Sequence, residues 1–315
     1  MILSCGDALI DFVPATTNQG RDALMPAVGG SCLNVAVGLA RLGAPTGFVG
    51  GVSTDLFGSM IADHAAASNV NLRYATRGDD QTTLAFVRIV AGESHYAFYD
   101  AATAARNWAY PRGRIPFETI DAVHVGSTTL VHDQGAAETE AMIADASRTA
   151  TISFDPNCRP NLVKDKVAYQ ARMEAFAAQA DMIKMSDVDF DYLHGHDRYA
   201  ERAEALLAAG SKLFVVTRGP KGALAWHRTA GAVEVAAPAI TVVDTIGAGD
   251  SFQAALLFAL HKQGRLRKAE LPMMTEAELR RALSFAAVCA AVTCTRPGAD
   301  PPHWSEMAAN WDALA

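Results

Sequence analysis

The chain has 315 residues, 50% of them hydrophobic, with 27 Lys and Arg against 34 Asp and Glu and a formal net charge of −7. That content fills a sizeable core in one large α/β domain or two smaller ones. The mild acidity, without clustered Lys or Arg, argues against nucleic acid and anionic membrane as partners.

The first residues, Met-Ile-Leu-Ser-Cys-Gly-Asp, lack a basic n-region, so 2–9 is expected to be a first strand and not a secretory signal. Segments 10–28 and 71–106 are turn-rich without helical periodicity; in the second, 84–90 and 94–99 flank Ala91-Gly-Glu93 as the arms of a hairpin would. Both are expected to leave the main sheet as a small β lid. From 121 onward, β-branched or aromatic runs at 121–125, 151–154, 181–184 and 212–216 alternate with Ala- and Leu-rich patterns at 136–147, 167–179 and 199–209. Buried strands followed by helices predict an α/β fold, a doubly wound, mostly parallel sheet flanked by helices. The run 240–243 predicts one more strand and 250–260 a helix. The apolar stretch 283–294 is too short to span a bilayer and reads as a helix running into a strand that Pro301-Pro302 ends. No repeat or linker divides the chain, so 1–315 is read as one domain. Cys5, Cys32, Cys158, Cys289 and Cys294 form no C-x-x-C pair and suit a reducing cytoplasm.

The chemistry concentrates in Asp244-Thr-Ile-Gly-Ala-Gly-Asp250-Ser-Phe252, a glycine turn opening a helix. Gly247 and Gly249 let the backbone approach an anion, and the unpaired amides of the first helical turn point at it. Asp250 there is either a cap or a base beside an anion hole. Phosphoryl transfer uses both a base and positioned amides. A second turn, Gly29-Gly-Ser-Cys-Leu-Asn34, opens another helix, with Asn34 either a ligand contact or a local cap. Asp11, expected just past the first strand, can take two sugar hydroxyls at once.

Other chemistries lack their residues. Neither glycine turn shows G-x-G-x-x-G with an acid about 20 residues on, against a dinucleotide oxidoreductase. No G-x-S-x-G elbow is present, and His194-Gly-His196 has no Cys pair to complete a zinc site.

Every position of Asp-Thr-x-Gly-Ala-Gly-Asp-x-Phe is present from Asp244 to Phe252, and with the Gly29–Asn34 turn the chain resembles the PfkB, or ribokinase, family of carbohydrate kinases. The resemblance implies ATP-dependent phosphorylation of a primary sugar hydroxyl with Mg²⁺, K⁺ beside the anion hole, and a homodimer paired through the lid. It makes Asp250 the base and the amides of Gly247, Ala248 and Gly249 the anion hole. Asp11, Gly29, Gly30, Asn34 and Asn157 become sugar contacts, with Phe98, Tyr99 and Arg106 walling the pocket from the lid. Arg159 faces the phosphates, where its planar fork donates two bonds. Thr217, Gly219, Gly222 and Ser186 line the ATP site; Pro-Lys-Gly222 is also an ordinary hairpin turn. Asp189 is linked to Mg²⁺, and Asp244 and the Ile246 carbonyl, with loop 294–300, to the monovalent cation.

Leu-Ile-Asp11-Phe-Val-Pro and Asp155-Pro-Asn-Cys-Arg159 look like the fructokinases of that family, so fructose phosphorylated at its 6-hydroxyl is the expected reaction. A 2-keto-3-deoxygluconate, ribose or nucleoside kinase is the next reading, and a non-catalytic sugar-binding protein a further one. Two positions depart from the pattern: Ser186 and Asp189 replace the usual Asn and Glu, and Ser53 stands where a glycine is expected.

Overall fold

The computed structural model describes residues 1–90 and 93–314, so Ala91 and Gly92 of the expected hairpin turn lie outside the described residues. In chain order come β1 (Ile2–Cys5), β2 (Leu9–Thr16), β3 (Asp22–Gly29), α1 (Ser31–Arg41), β4 (Thr46–Val49), β5 (Gly51–Ser53), α2 (Leu56–Ala67), β6 (Thr76–Gly78), β7 (Thr83–Val90) and β8 (Glu93–Tyr99). Then follow β9 (Ala122–Gly126), α3 (Asp133–Ala146), β10 (Thr151–Asp155), α4 (Lys166–Gln179), β11 (Met182–Ser186), α5 (Asp187–His194), α6 (Tyr199–Ala209), β12 (Leu213–Thr217), β13 (Ala223–His227) and β14 (Gly231–Val235). The chain closes with α7 (Ala248–Lys262), α8 (Glu276–Cys294) and α9 (Trp304–Ala313).

The main sheet runs β14-β13-β12-β11-β10-β9-β1-β4, parallel from β12 to β4, with β13 and β14 added antiparallel at one edge. Period-two alternation explains the uninterrupted apolar strands. On β12, Leu213 and Val215 pack with α7 and α8, while Phe214 and Val216 pack on the opposite face with α3, α4 and α6. Both faces are thus covered, as a doubly wound sheet requires.

A second sheet, β3-β2-β7-β8, stands apart from the first. It spans Leu9–Gly29 and Thr83–Tyr99, narrower than the expected 71–106, because β6 pairs with β5 instead. Asp11 is the third residue of β2, not the end of the first strand, since β1 stops at Cys5. Ser53 adopts an ordinary strand backbone and is buried in β5, where its Oγ accepts from the Asp55 amide at 3.0 Å.

Two expectations near the end fail. Residues 240–243 form no strand: this β-branched run pairs with neither edge of the main sheet, and Val242 and Val243 are exposed. The amides of Val243 and Asp244 donate to the Cys294 carbonyl instead. Nor does 283–294 turn into a strand that Pro301-Pro302 ends. α8 stays helical to Cys294, started by a Thr275–Glu278 capping box and held by Leu279, Leu283, Phe285, Ala286 and Cys289 at helical spacing. Packing outweighs the low helix propensity of Val288 and Val292. No helix among the described residues is long and apolar enough to cross a membrane.

Candidate active site

The carboxyl ends of the parallel strands converge on a cavity of about 440 Å³, lined by Asp7, Asp11, Asn34, Arg159, Ile246 and Asp250 among others. Tyr96 and Phe98 of the second sheet close it from the other side. Ligands of open α/β sheets bind at such carboxyl ends.

The N-terminus of α7 forms one wall. Gly247 caps it at φ 75, and a Cβ there would stand 2.6 Å from the Ala299 Cβ, so the turn demands glycine. Gly247 and Gly249 line the cavity, so the positive dipole end of α7 faces it. The Ala248 amide also meets the Thr245 carbonyl at 3.3 Å, a partner that an anion would have to share.

Asp250 follows one residue after Gly249 and is 8% exposed. It is no cap: α7 has no side-chain cap, and both carboxylate oxygens point at α1. Ser31 Oγ donates to Oδ1 at 2.6 Å and Asn34 Nδ2 to Oδ2 at 2.9 Å. Asn34 is likewise not a cap, because the N-cap of α1 is Gly30 without side-chain help. The two glycine turns therefore meet at one carboxylate. Burial raises the Asp250 pKa above the usual carboxylate range, opposed by the Ser31 and Asn34 hydrogen bonds and by the Lys184 and Arg159 charges.

Asp11 faces the same space from β2. Burial, then the Asp7 and Asp250 charges, push its pKa to about 7 against the pull of Arg159. Gly29, at the end of β3, lies directly under its carboxylate, and Gly30 at φ 103 brings α1 against the Asp7 backbone. Asp7 organises the floor, accepting from the Cys32 amide at 3.0 Å, Ser127 Oγ at 2.8 Å and Thr128 Oγ1 at 3.1 Å. Arg159 reaches the cavity, with Nη1 donating to the Asn157 and Cys158 carbonyls at 3.1 and 3.0 Å.

Phe98 lies on the inner face of β8 beside Tyr96, the rings stacked at 5.9 Å. Tyr99 does not wall the pocket. Strand alternation turns it outward, 64% exposed, with its ring edge-on to Phe86. Arg106 sits in an adjoining recess and pairs with Asp100 at 3.3 Å, while Asp100 also meets His132 Nε2 at 2.5 Å.

The remaining expected residues lie outside this cavity. Ser186 and Thr217 are register neighbours at the ends of β11 and β12. Gly219 and Gly222 bend the chain into β13, an antiparallel hairpin. Asp189 is committed to protein donors, accepting from Cys158 N at 3.0 Å and Ser186 Oγ at 2.8 Å. Asp244 ties two loops together, with Oδ1 accepting from Ile246 N at 3.0 Å and Oδ2 from Gly298 N at 2.8 Å. Among the described residues no three His, Cys, Asp or Glu side chains cluster to hold a metal. His194 and His196 pair with Glu174 and Asp191, and His124 bonds Ser153 inside the core.

Asp7, Ser31, Thr128 and Lys184 escaped the sequence reading. Lys184 left a signal, a lone cation inside an apolar parallel strand, where a charge is almost never buried without a partner. The contacts of the others come from residues far apart in the chain.

A polyol-sized cavity with a buried, two-sidedly held carboxylate beside a helix N-terminus defines a phosphotransferase acting on a small alcohol. The chain belongs to the pfkB family of carbohydrate kinases, whose model matches residues 1–306. It is 36% identical over 280 residues to the fructokinase of Rhizobium leguminosarum bv. trifolii, covering 89% of this chain and 86% of that one. The structure of Xylella fastidiosa fructokinase with bound ATP superposes with a TM-score of 0.88 at 28% identity, covering 99% of this chain and 97% of that one. Vibrio cholerae fructokinase with fructose, ADP and calcium ion bound gives 0.80 at 27%, covering 95% and 94%.

Proposed function

We propose that the protein is an ATP-dependent fructokinase in which Asp250 takes the proton of the fructose 6-hydroxyl as the γ-phosphoryl group passes to that oxygen and ADP departs. The observation that carries this reading is the position of Asp250: its carboxylate, held by Ser31 and Asn34, stands at the N-terminus of α7 in one cavity with Asp11. Asp11 and Asn34 orient the sugar hydroxyls, Asn157 lies near the acceptor, and Arg159 with the amides of Gly247, Ala248 and Gly249 takes the charge that spreads over the phosphoryl oxygens. A raised pKa suits a base that must receive a proton near neutral pH.

The nucleotide spreads along the edge of β11 and β12, past Ser186, Thr217, Gly219 and Gly222. Mg²⁺ would be carried on the nucleotide phosphates, since among the described residues no His, Cys, Asp and Glu side chains cluster to hold it. K⁺ would sit beside the helix turn, held by the Asp244 carboxylate and the Ile246 carbonyl. The second sheet serves as the lid of a single domain and pairs two subunits, and the protein works in the cytoplasm, where its free thiols stay reduced. A nucleoside acceptor is the second reading, favoured by the stacked Tyr96–Phe98 pair on the inner face of the lid.

ATP turnover measured with fructose, ribose, adenosine and 2-keto-3-deoxygluconate separates these readings, with fructose expected to give the highest kcat/KM. Asp250→Asn should lower kcat by about 10² to 10⁴-fold, with fructose affinity much less changed. An unchanged rate removes Asp250 from the chemistry.

A further inference from the structure

Lys184 is buried in β11 at 4% exposure, yet no step above uses it. Strand alternation places it with Met182 on the face that α7 covers, one step beyond the register pair Phe154–Ile183 that aligns β10 with β11. Its Nζ donates to Asp155 Oδ2 at 2.8 Å and to the Gly249 carbonyl at 3.4 Å. The ammonium thus lies beneath the glycine turn, 3.3 Å from where a side chain on Gly249 would begin.

We propose that Lys184 is a positioning residue of the phosphoryl-transfer site, acting through Asp250 and the Gly249–Asp250 peptide and never touching substrate. Two physical effects carry this. In a trans peptide the N–H points opposite to the C=O. Drawing the Gly249 carbonyl toward Lys184 therefore aims the Asp250 amide away from it, toward the cavity side. The second effect is charge. Asp155 of β10, Asp189 of α5 and Asp250 of α7 are three buried carboxylates, balanced by Lys184 and by Arg159 of the loop after β10. Asp7 and Asp11 add further negative charge, α1 contributes only the neutral Ser31 and Asn34, and burial keeps His124 of β9 neutral with a pKa of about 4. Without Lys184 the ionised form of Asp250 loses a principal cation.

Burial works against the Lys184 charge, but Asp155, and then Asp250 and Asp189, outweigh it and raise its pKa. The ammonium therefore stays charged throughout the working range. An alternative is that Lys184 merely neutralises Asp155, a structural task. The two roles predict different behaviour once both charges are removed together.

The inference rests on Asp250 as the base, and the test uses the full chain with fructose and ATP. Lys184→Met removes the cation at similar volume; Lys184→Met with Asp155→Asn removes the pair and does not strand the Asp155 carboxylate. The amide oxygen of the new Asn can still accept from the Asn157 amide, as Asp155 Oδ1 does at 3.1 Å. The acidic limb of kcat/KM should move to higher pH by about one unit in the single variant and by less in the double, where losing the Asp155 charge offsets part of losing the cation. Neutral-pH kcat should fall about 10-fold or more, with fructose KM changing less. If the single variant does not fold, the double variant carries the test. A double variant with the parent's limb and kcat overturns the proposal, leaving Lys184 as the partner of Asp155 alone. Absence of sugar phosphorylation by the parent chain would instead defeat the functional reading itself.

Discussion

Asp11 and Asp250 are pushed the same way by burial, but their partners differ. Asp250 is held by two donors, whereas Asp11 faces open cavity with Asp7 and Asp250 as negative neighbours. An acid whose folded pKa is raised binds its proton more tightly folded than unfolded. Its favourable contribution to stability is therefore full below about 3.8 and lost as pH rises to about 7. Above that, the free protein keeps a costly buried charge. Asp11→Asn is accordingly expected to raise the Tm of the free protein at pH 8 by about 2–4 °C while weakening fructose binding at least 10-fold, with little change in Tm at pH 4. A thermal melt at the two pH values with fructose KM checks this; a lower Tm at pH 8 would show that Asp11 is not charge-stressed.

At the scale of elements, the N-terminus of α7 is the most constrained part of the site. Gly247 needs its left-handed backbone and the room taken by Ala299. A side chain there costs about 1–2 kcal/mol in backbone strain and displaces the turn from the loop that follows α8. Gly247→Ala should raise ATP KM and lower kcat together, by about 10² in kcat/KM, because the amides move off the phosphoryl oxygens. Sugar affinity, supplied by β2 and α1, should hold. Calorimetric titration with fructose alone, set beside the ATP kinetics, distinguishes this from general unfolding.

For the whole molecule, the small sheet closes the cavity with one face and carries the edge through which two subunits are proposed to pair. Its edge strand β3 exposes Leu24 at 47% and Met25 at 56%. Pro26 sits between its hydrogen-bonding neighbours and discourages simple strand addition, so a second subunit would meet this edge through side chains. Leu24→Lys combined with Met25→Lys should convert the proposed homodimer to monomers in sedimentation velocity and raise fructose KM. An unchanged sedimentation coefficient would place the subunit contact elsewhere.

Much of this protein is legible in the chain because its chemistry is local. Gly247, Gly249 and Asp250 lie within four residues, so the glycine turn and the carboxylate beside it are written contiguously, and the apolar strands announce a sheet covered on both faces. Tertiary structure alone decided the rest. The β-branched run at 240–243 has the composition of a strand, but the fold ties it to the Cys294 carbonyl at the end of α8 and it pairs with no sheet edge. Ser31 and Asn34 bind Asp250 across 219 and 216 residues, and Lys184 reaches Gly249 across 65. Such pairings follow from how α1, β11 and α7 pack together, and no local pattern of side chains encodes that geometry.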